Sequence, residues 1–262
     1  MTSIISSRSS FHTDLELAIQ AEKLSKRIND DVILSNVDFS VTKGQVHGLI
    51  GANGSGKSTT MNILCGLIAP TSGVARINGA NVRRFPEAIR RNVGYIPENP
   101  RLYPSLTVEE TLNFIRDIYS VPKKESEPRI SRYMEEFEVS HLREKYVTTL
   151  SKGELQKVMI CSLMLREPKV VLLDEPFYAL DPKSSKTFRR IIEEESGNGT
   201  TYLLATHLLD VAEKVCDSLT IIDDGRTIIS GKIKDIVNVD GRALSLEEAF
   251  IIQTAHADVN IK

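Results

Sequence analysis

Gly51-Ala52-Asn53-Gly54-Ser55-Gly56-Lys57-Ser58-Thr59 fits the pattern G-x-x-x-x-G-K-[ST]. An apolar run, Val46 to Ile50, precedes it and the helix-like Thr60-Met61-Asn62-Ile63-Leu64 follows, which is the strand–loop–helix context this pattern requires. Glycines at 51, 54 and 56 let backbone N–H groups turn inward around phosphate oxygens, and the helix starting near Lys57 aims its positive dipole end at the same point. A nucleoside triphosphate is the natural occupant. Lys57 neutralises β/γ-phosphate charge, Ser58 supplies a hydroxyl to Mg²⁺, and Asn53, Ser55 and Thr59 complete the loop. A glycine-rich turn without a ligand would need none of this context.

Working outward, the composition limits the partners. The chain has 262 residues, a formal net charge of −2 and 26% charged residues, so it can bury a large core and has no global basic field for nucleic acid or an anionic surface. Cys65, Cys161 and Cys216 are few, odd in number and set among apolar residues, as reduced packing thiols are. No stretch reaches the ~18 apolar residues of a membrane span. The serine-rich stretch 1–13 lacks the apolar segment of a secretory signal and reads as a disordered tail. A single domain over 14–253 and a tail at 254–262 complete the expected organisation.

Upstream of the loop, residues 15–19, 32–34 and 37–41 read as short β-pieces turning at Asn29-Asp30-Asp31. Val74 to Ile77 and Ala80 to Val82 flank Asn78-Gly79, a strong hairpin signal, so a small antiparallel sheet is expected beside the nucleotide. From about 88 to 168 the texture is helical. Thr107-Val108-Glu109-Glu110 and Ser151-Lys152-Gly153-Glu154 are capping boxes, Ser131 to Glu138 reads as a helix, and the charged stretch from Pro122 to Pro128 reads as the loop before it.

Val170-Val171-Leu172-Leu173 is a continuous apolar run, as in a parallel strand covered on both faces. Asp174 and Glu175 stand at its carboxyl end, where ligands bind in open α/β sheets. Asp174 is placed to hold Mg²⁺ on the nucleotide, and Glu175, one residue on, is free to deprotonate a water attacking the γ-phosphate. Asp181-Pro182 starts a helix with an N-cap and a proline at the first position. Thr201 to Ala205 reads as a second buried strand that delivers His207 to the same edge, within reach of the γ-phosphate. A hairpin around Asp224-Gly225 and a short helix from Leu246 to Ile252 close the chain.

With these residues in order, the chain resembles the nucleotide-binding subunit of ABC transporters from about Leu15 to Ile252. Leu150-Ser151-Lys152-Gly153-Glu154 is similar to the family signature, Ala179-Leu180-Asp181 to its D-loop and His207 to its switch histidine. The resemblance implies an α/β fold: a phosphate-loop core with a parallel sheet, a small antiparallel β-subdomain and an inserted α-helical subdomain. It implies ATP and Mg²⁺ as ligands and ATP hydrolysis that powers transport through a separate integral membrane subunit, at the cytoplasmic face of the membrane. Two ATPase subunits, alike or different, would sandwich the nucleotides, Ser151 and Gly153 of one reaching the γ-phosphate held by the other. Nucleic acid is not an expected partner.

Three positions depart from the family pattern. Ile28 stands where an aromatic stacks on adenine, Glu98 where a glutamine contacts Mg²⁺ and relays to the membrane partner, and Glu154 where the signature has glutamine. Glu98, Leu102-Tyr103-Pro104 and Leu246 to Phe250 resemble exporter subunits. Two alternatives stay open: a soluble, non-transport ATPase of the superfamily, and a low-turnover nucleotide-binding regulator.

Overall fold

The computed structural model describes residues 17–239 and 242–259. Two 12-residue strands, β1 (Leu17–Ile28) and β2 (Asp31–Thr42), run antiparallel around the turn at Asn29. Four register shifts along this pair break the in/out alternation, which is why the sequence reads as short pieces rather than two long strands. Next come β3 (Val46–Ile50), α1 (Lys57–Leu64), β4 (Ser72–Ile77) and β5 (Ala80–Asn81), the last two paired across Asn78-Gly79 as expected. Strands β2, β1, β4 and β5, in that order, make the antiparallel sheet.

The helical region opens with α2 (Pro86–Asn92), but β6 (Val93–Ile96) inside it pairs in parallel with β7 (Val170–Asp174). The helical insertion thus begins beyond Ile96, later than residue 88. Helix α3 (Val108–Ile118) carries the expected capping box, with Thr107 Oγ1 accepting from the Glu110 N–H at 3.2 Å. Helix α4 (Lys123–Glu136) starts eight residues before the expected Ser131 and contains Pro128, so the stretch from Pro122 to Pro128 is not a loop. Proline forfeits one backbone bond near the helix start, while Ser126, Ile130, Tyr133 and Met134 bury one face and the charged residues form the solvated one.

Helix α5 (Lys152–Met164), capped by Ser151 and Glu154, leads back to β7. Then follow α6 (Pro182–Gly197), capped by Asp181, β8 (Thr201–Thr206), α7 (Leu209–Val215), β9 (Ser218–Asp223), β10 (Arg226–Lys232), α8 (Ile233–Ile236) and α9 (Leu246–Val259). Helix α9 extends past Ile252 into the expected tail, as far as Val259; residues 260–262 and the expected tail at 1–13 lie outside the described residues.

The second sheet has the order β10-β9-β3-β8-β7-β6, parallel except for the β10 edge. Alternate residues of β7 serve two cores. Val170 and Leu172 pack with α1 and the antiparallel sheet, and Val171 and Leu173 pack with α5 and α6, the two-sided cover that a continuous apolar strand requires. Backbone bonds from Ser35 N–H to the Gly225 carbonyl (2.8 Å) and from Gly225 N–H to the Ser55 carbonyl (3.1 Å) join the two sheets at the phosphate loop. The order β3-β8-β7 sets the carboxyl ends of three adjacent parallel strands side by side, and residues 51–59, 206–207 and 174–175 leave from those ends.

Candidate functional site

Chain geometry in the loop leaves room only for glycine at key points. A Cβ on Gly51 would lie 2.2 Å from the Ile222 carbonyl oxygen, and Gly56, at φ +103°, would place one 2.4 Å from Leu34 Cδ2. Gly54, at φ +85°, has open space beside it, which exposes its backbone to the cavity. Lys57, nearly buried, donates from Nζ to the carbonyl oxygens of Gly51 (2.9 Å) and Ala52 (3.0 Å). Burial lowers its pKa while Glu175, Asp174 and Glu98 act the other way; the ammonium is preset at the loop and partly desolvated, ready to exchange carbonyls for phosphate oxygens.

Asp174 ends β7 almost wholly buried, and its Oδ1 has no hydrogen-bond partner. Burial pushes its pKa up to about 6, Glu175 and Glu98 adding to the effect and Ser58 and Lys57 opposing it. A buried carboxylate oxygen without a donor is costly and is the kind of atom a hard cation satisfies. Ser58, Asp174 and Glu98 offer hydroxyl and carboxylate oxygens, donors that suit Mg²⁺ when phosphates supply the rest of the shell. Ser55 Oγ is likewise buried without a partner.

Glu175 occupies the left-handed region at φ +49°, a conformation that disfavours side chains other than glycine and marks functional turns. Its carboxylate is held at three points: Thr206 Oγ1 donates to Oε2 at 2.9 Å, and the His207 backbone N–H and Nδ1 donate to Oε1 at 2.9 and 2.7 Å. A carboxylate only accepts, so Nδ1 carries the hydrogen and Nε2 is the ring's other polar atom. Thr206 and His207 thus fix the acid next to Asp174, and the role of Thr206 was not evident from the sequence.

One cavity of about 780 Å³ is lined by Asn53, Gly54, Gly56, Lys57, Ser58, Thr59, Glu98, Asp174, Glu175 and His207, together with Ile33 and Tyr178. Ten expected residues therefore meet around one space. Ile33 and Tyr178 were missed, because only the return of β2 beside the loop and the turn after Glu175 bring them there. Ile28, at the end of β1, is 47% exposed and outside the lining.

Ser151, Gly153 and Asp181 also stand apart from that cavity. They belong to a seam in which the first turns of α5 follow residues 176–181. Lys152 Nζ sits 4.6 Å from the centre of the Tyr178 ring, Gln156 Nε2 donates to the Pro176 carbonyl at 3.1 Å, and Lys157 pairs with Asp181 at 2.7 Å. A Cβ on Gly153 would come within 2.9 Å of the Ala179 carbonyl oxygen, so glycine is what permits this approach. Hydrogen bonds from Lys157 and Ser184 hold the Asp181 pKa well below the usual carboxylate range.

The family model described as ABC transporter matches residues 34–178, spanning the phosphate loop, the signature segment and the acid pair. The chain belongs to the ABC transporter family. Its fold is that of the family's ATP-binding cassette: one solved chain, described as the ATP-binding subunit of an ABC transporter, superposes with a TM-score of 0.87 at 36% identity over 90% of this chain and 99% of that one. The ABC-type transporter ATP-binding protein EcsA of Bacillus subtilis is 36% identical over 78% of this chain and 83% of its own length. The probable multidrug ABC transporter ATP-binding protein YbhF of Escherichia coli is 32% identical over 90% of this chain, which spans 41% of YbhF.

Proposed function

We propose that this ABC cassette binds ATP with Mg²⁺ and hydrolyses it to drive transport, in the export direction, through a separate membrane subunit. The observation that carries this reading is the pinning of Glu175 by Thr206 and His207 in the cavity that Lys57 and Asp174 also line. Mg²⁺, held by Ser58, Asp174 and Glu98, would neutralise phosphate charge. Lys57 draws the β/γ-phosphates into the loop, and Glu175 accepts the proton of the attacking water while His207 keeps its carboxylate aimed. Two of the three donors on Glu175 fall on Oε1 and one on Oε2, so Oε2 keeps a lone pair to accept from the attacking water.

Ser151 and Gly153, outside their own chain's cavity, suit a head-to-tail dimer in which each signature segment meets the partner's nucleotide. Ile28 supplies no ring for the base, which favours loose base selection. No helix among the described residues is long and apolar enough to cross a membrane, and a groove of about 270 Å³ supports docking of an integral membrane partner at the cytoplasmic face. Leu102, Tyr103, Phe114 and Ile118 line that groove, with Tyr103 and Ile118 more than half exposed. Only two residues, Asn99 and Pro100, separate its Arg101 from Glu98 in the nucleotide cavity, a short route for relay. The export direction draws on the multidrug name of the YbhF relative.

Glu175→Gln tests the catalytic assignment. It should still bind ATP, lose roughly 10²–10⁴-fold in hydrolysis rate, and elute as a dimer with ATP and Mg²⁺, whereas adding Ser151→Arg should return it to a monomer. Normal hydrolysis by Glu175→Gln would refute the assignment of the base.

A further inference from the structure

Beside the docking groove lies a charge pattern that nucleotide chemistry does not use. Between Arg76 and Pro97 the chain carries five arginines, at 76, 83, 84, 90 and 91, and one acid, Glu87, in a protein whose formal charge is −2. Arg116, Arg129, Arg132 and Arg143 of the helical region, and Arg190 of α6, each rest on a carboxylate. Arg83, Arg84, Arg90 and Arg91 are exposed and form no ion pair among the described residues; Arg90 gives one N–H to the Gly66 carbonyl at 2.7 Å. Exposed arginines left without carboxylates raise the local potential.

Two large apolar side chains stand among them, Leu67 at 54% and Phe85 at 55% exposure. They share one patch, because a Cβ on Gly66 would lie 3.1 Å from the Pro86 carbonyl oxygen, which sets the Leu67 turn against the start of α2. Leu67 and Arg90 then line a cleft with Tyr95, Tyr119 and Arg166. Tyr95, Tyr119 and Arg166 also line the groove assigned above to the membrane partner, and the Arg166 guanidinium is stacked 3.2 Å from the Tyr119 ring centre. The patch is a lateral continuation of that groove.

We propose that Arg83, Arg84, Arg90 and Arg91, with Phe85 and Leu67, form a contact site for anionic phospholipid headgroups of the bilayer. The inference takes only its orientation from the membrane-partner reading. Arginines attract anionic headgroups electrostatically, and the two apolar side chains enter the interfacial zone, as on amphipathic surfaces that lie on membranes. Nucleic acid would also neutralise the arginines, but it makes no use of an exposed leucine and has no continuity with the groove. The site would hold the cassette flat against the membrane beside its partner.

The test is sedimentation of the full chain, without its partner, with vesicles of phosphatidylcholine alone or mixed with phosphatidylglycerol. Binding is expected only to the anionic vesicles at about 0.1 M salt, and it should collapse near 1 M, where the screening length falls to about 3 Å. Each arginine near an anionic surface is worth roughly fivefold in partitioning, so Arg83→Glu with Arg84→Glu should weaken binding at least about 25-fold while ATP hydrolysis in solution stays unchanged. Phe85→Ser should weaken it as well. Equal binding to neutral vesicles, indifference to the two arginine reversals, no binding at all, or tighter binding to a short DNA duplex than to anionic vesicles would each overturn the proposal. Tyr103→Glu separates the two readings: it should abolish co-purification of a membrane protein yet leave vesicle binding intact, and retained co-purification would remove the groove assignment alone.

Discussion

Replacing Asp174 by Asn should stabilise the nucleotide-free protein while abolishing its response to Mg²⁺ and ATP. Asp174 is 2% exposed, has an oxygen without a donor, and burial raises its pKa from 3.8 to about 6. A raised carboxylate pKa means that the folded state resists ionisation, so stability is lost as pH rises from the unfolded value through the folded one. Two pK steps correspond to about 3 kcal/mol, an upper figure that relaxation reduces to roughly 1–3 kcal/mol. Asn keeps the shape and removes the charge. In urea unfolding without nucleotide, Asp174→Asn should therefore be more stable than the parent at pH 7.5, and the gap should close between pH 6 and 4, where the parent's carboxyl becomes protonated. At a ligand concentration of about 100 Kd, Mg²⁺-ATP should add about 2.7 kcal/mol to the parent and little to the variant. A variant less stable than the parent at pH 7.5, or a gap independent of pH, would refute the reasoning.

Lys57→Ala removes the cation preset on the Gly51 and Ala52 carbonyls and should abolish ATP binding in calorimetry; unchanged affinity would move the phosphate site elsewhere. His47, buried against Phe39 and bonded to Ser218 (2.7 Å) and Thr220 (2.8 Å), has its pKa pulled down to about 3 by burial. The unfolded chain therefore takes up its proton first. In the Asp174→Asn background, unfolding free energy should fall by up to about 1.4 kcal/mol per pH unit below about pH 6.5, and His47→Gln should flatten that slope. Ile28→Tyr should tighten ATP binding by roughly 0.5–1.5 kcal/mol, and unchanged affinity in calorimetry would show that a ring at this position does not reach the base.

Much of the site is legible in the residues because its parts are local. The phosphate loop, the acids after an apolar strand and the serine and aspartate caps each declare themselves within a few neighbouring positions. Less local features stay hidden. Strands β1 and β2 lose their alternation to bulges, and β6 is four residues beside a helix, recognisable as core only through its pairing with β7. Helix α4 disguises its start with charges and a proline, since the face that orders it is set by partners distant in sequence. The hold of Thr206 on Glu175, 31 residues away, and the entry of Ile33 and Tyr178 into the cavity depend on which strands lie side by side, and no short pattern encodes that.

The seam between α5 and residues 176–181 behaves as a gear mesh. Four successive teeth engage: Lys152 with Tyr178, Gly153 with Ala179, Gln156 with Pro176 and Lys157 with Asp181. A rotation of α5 would have to break a salt bridge and a buried hydrogen bond together or carry Pro176, the residue that follows Glu175, along with it. Strain on the helical layer would therefore fall one residue from the carboxylate that Thr206 and His207 hold, so the seam ties the position of α5 to the position of the base.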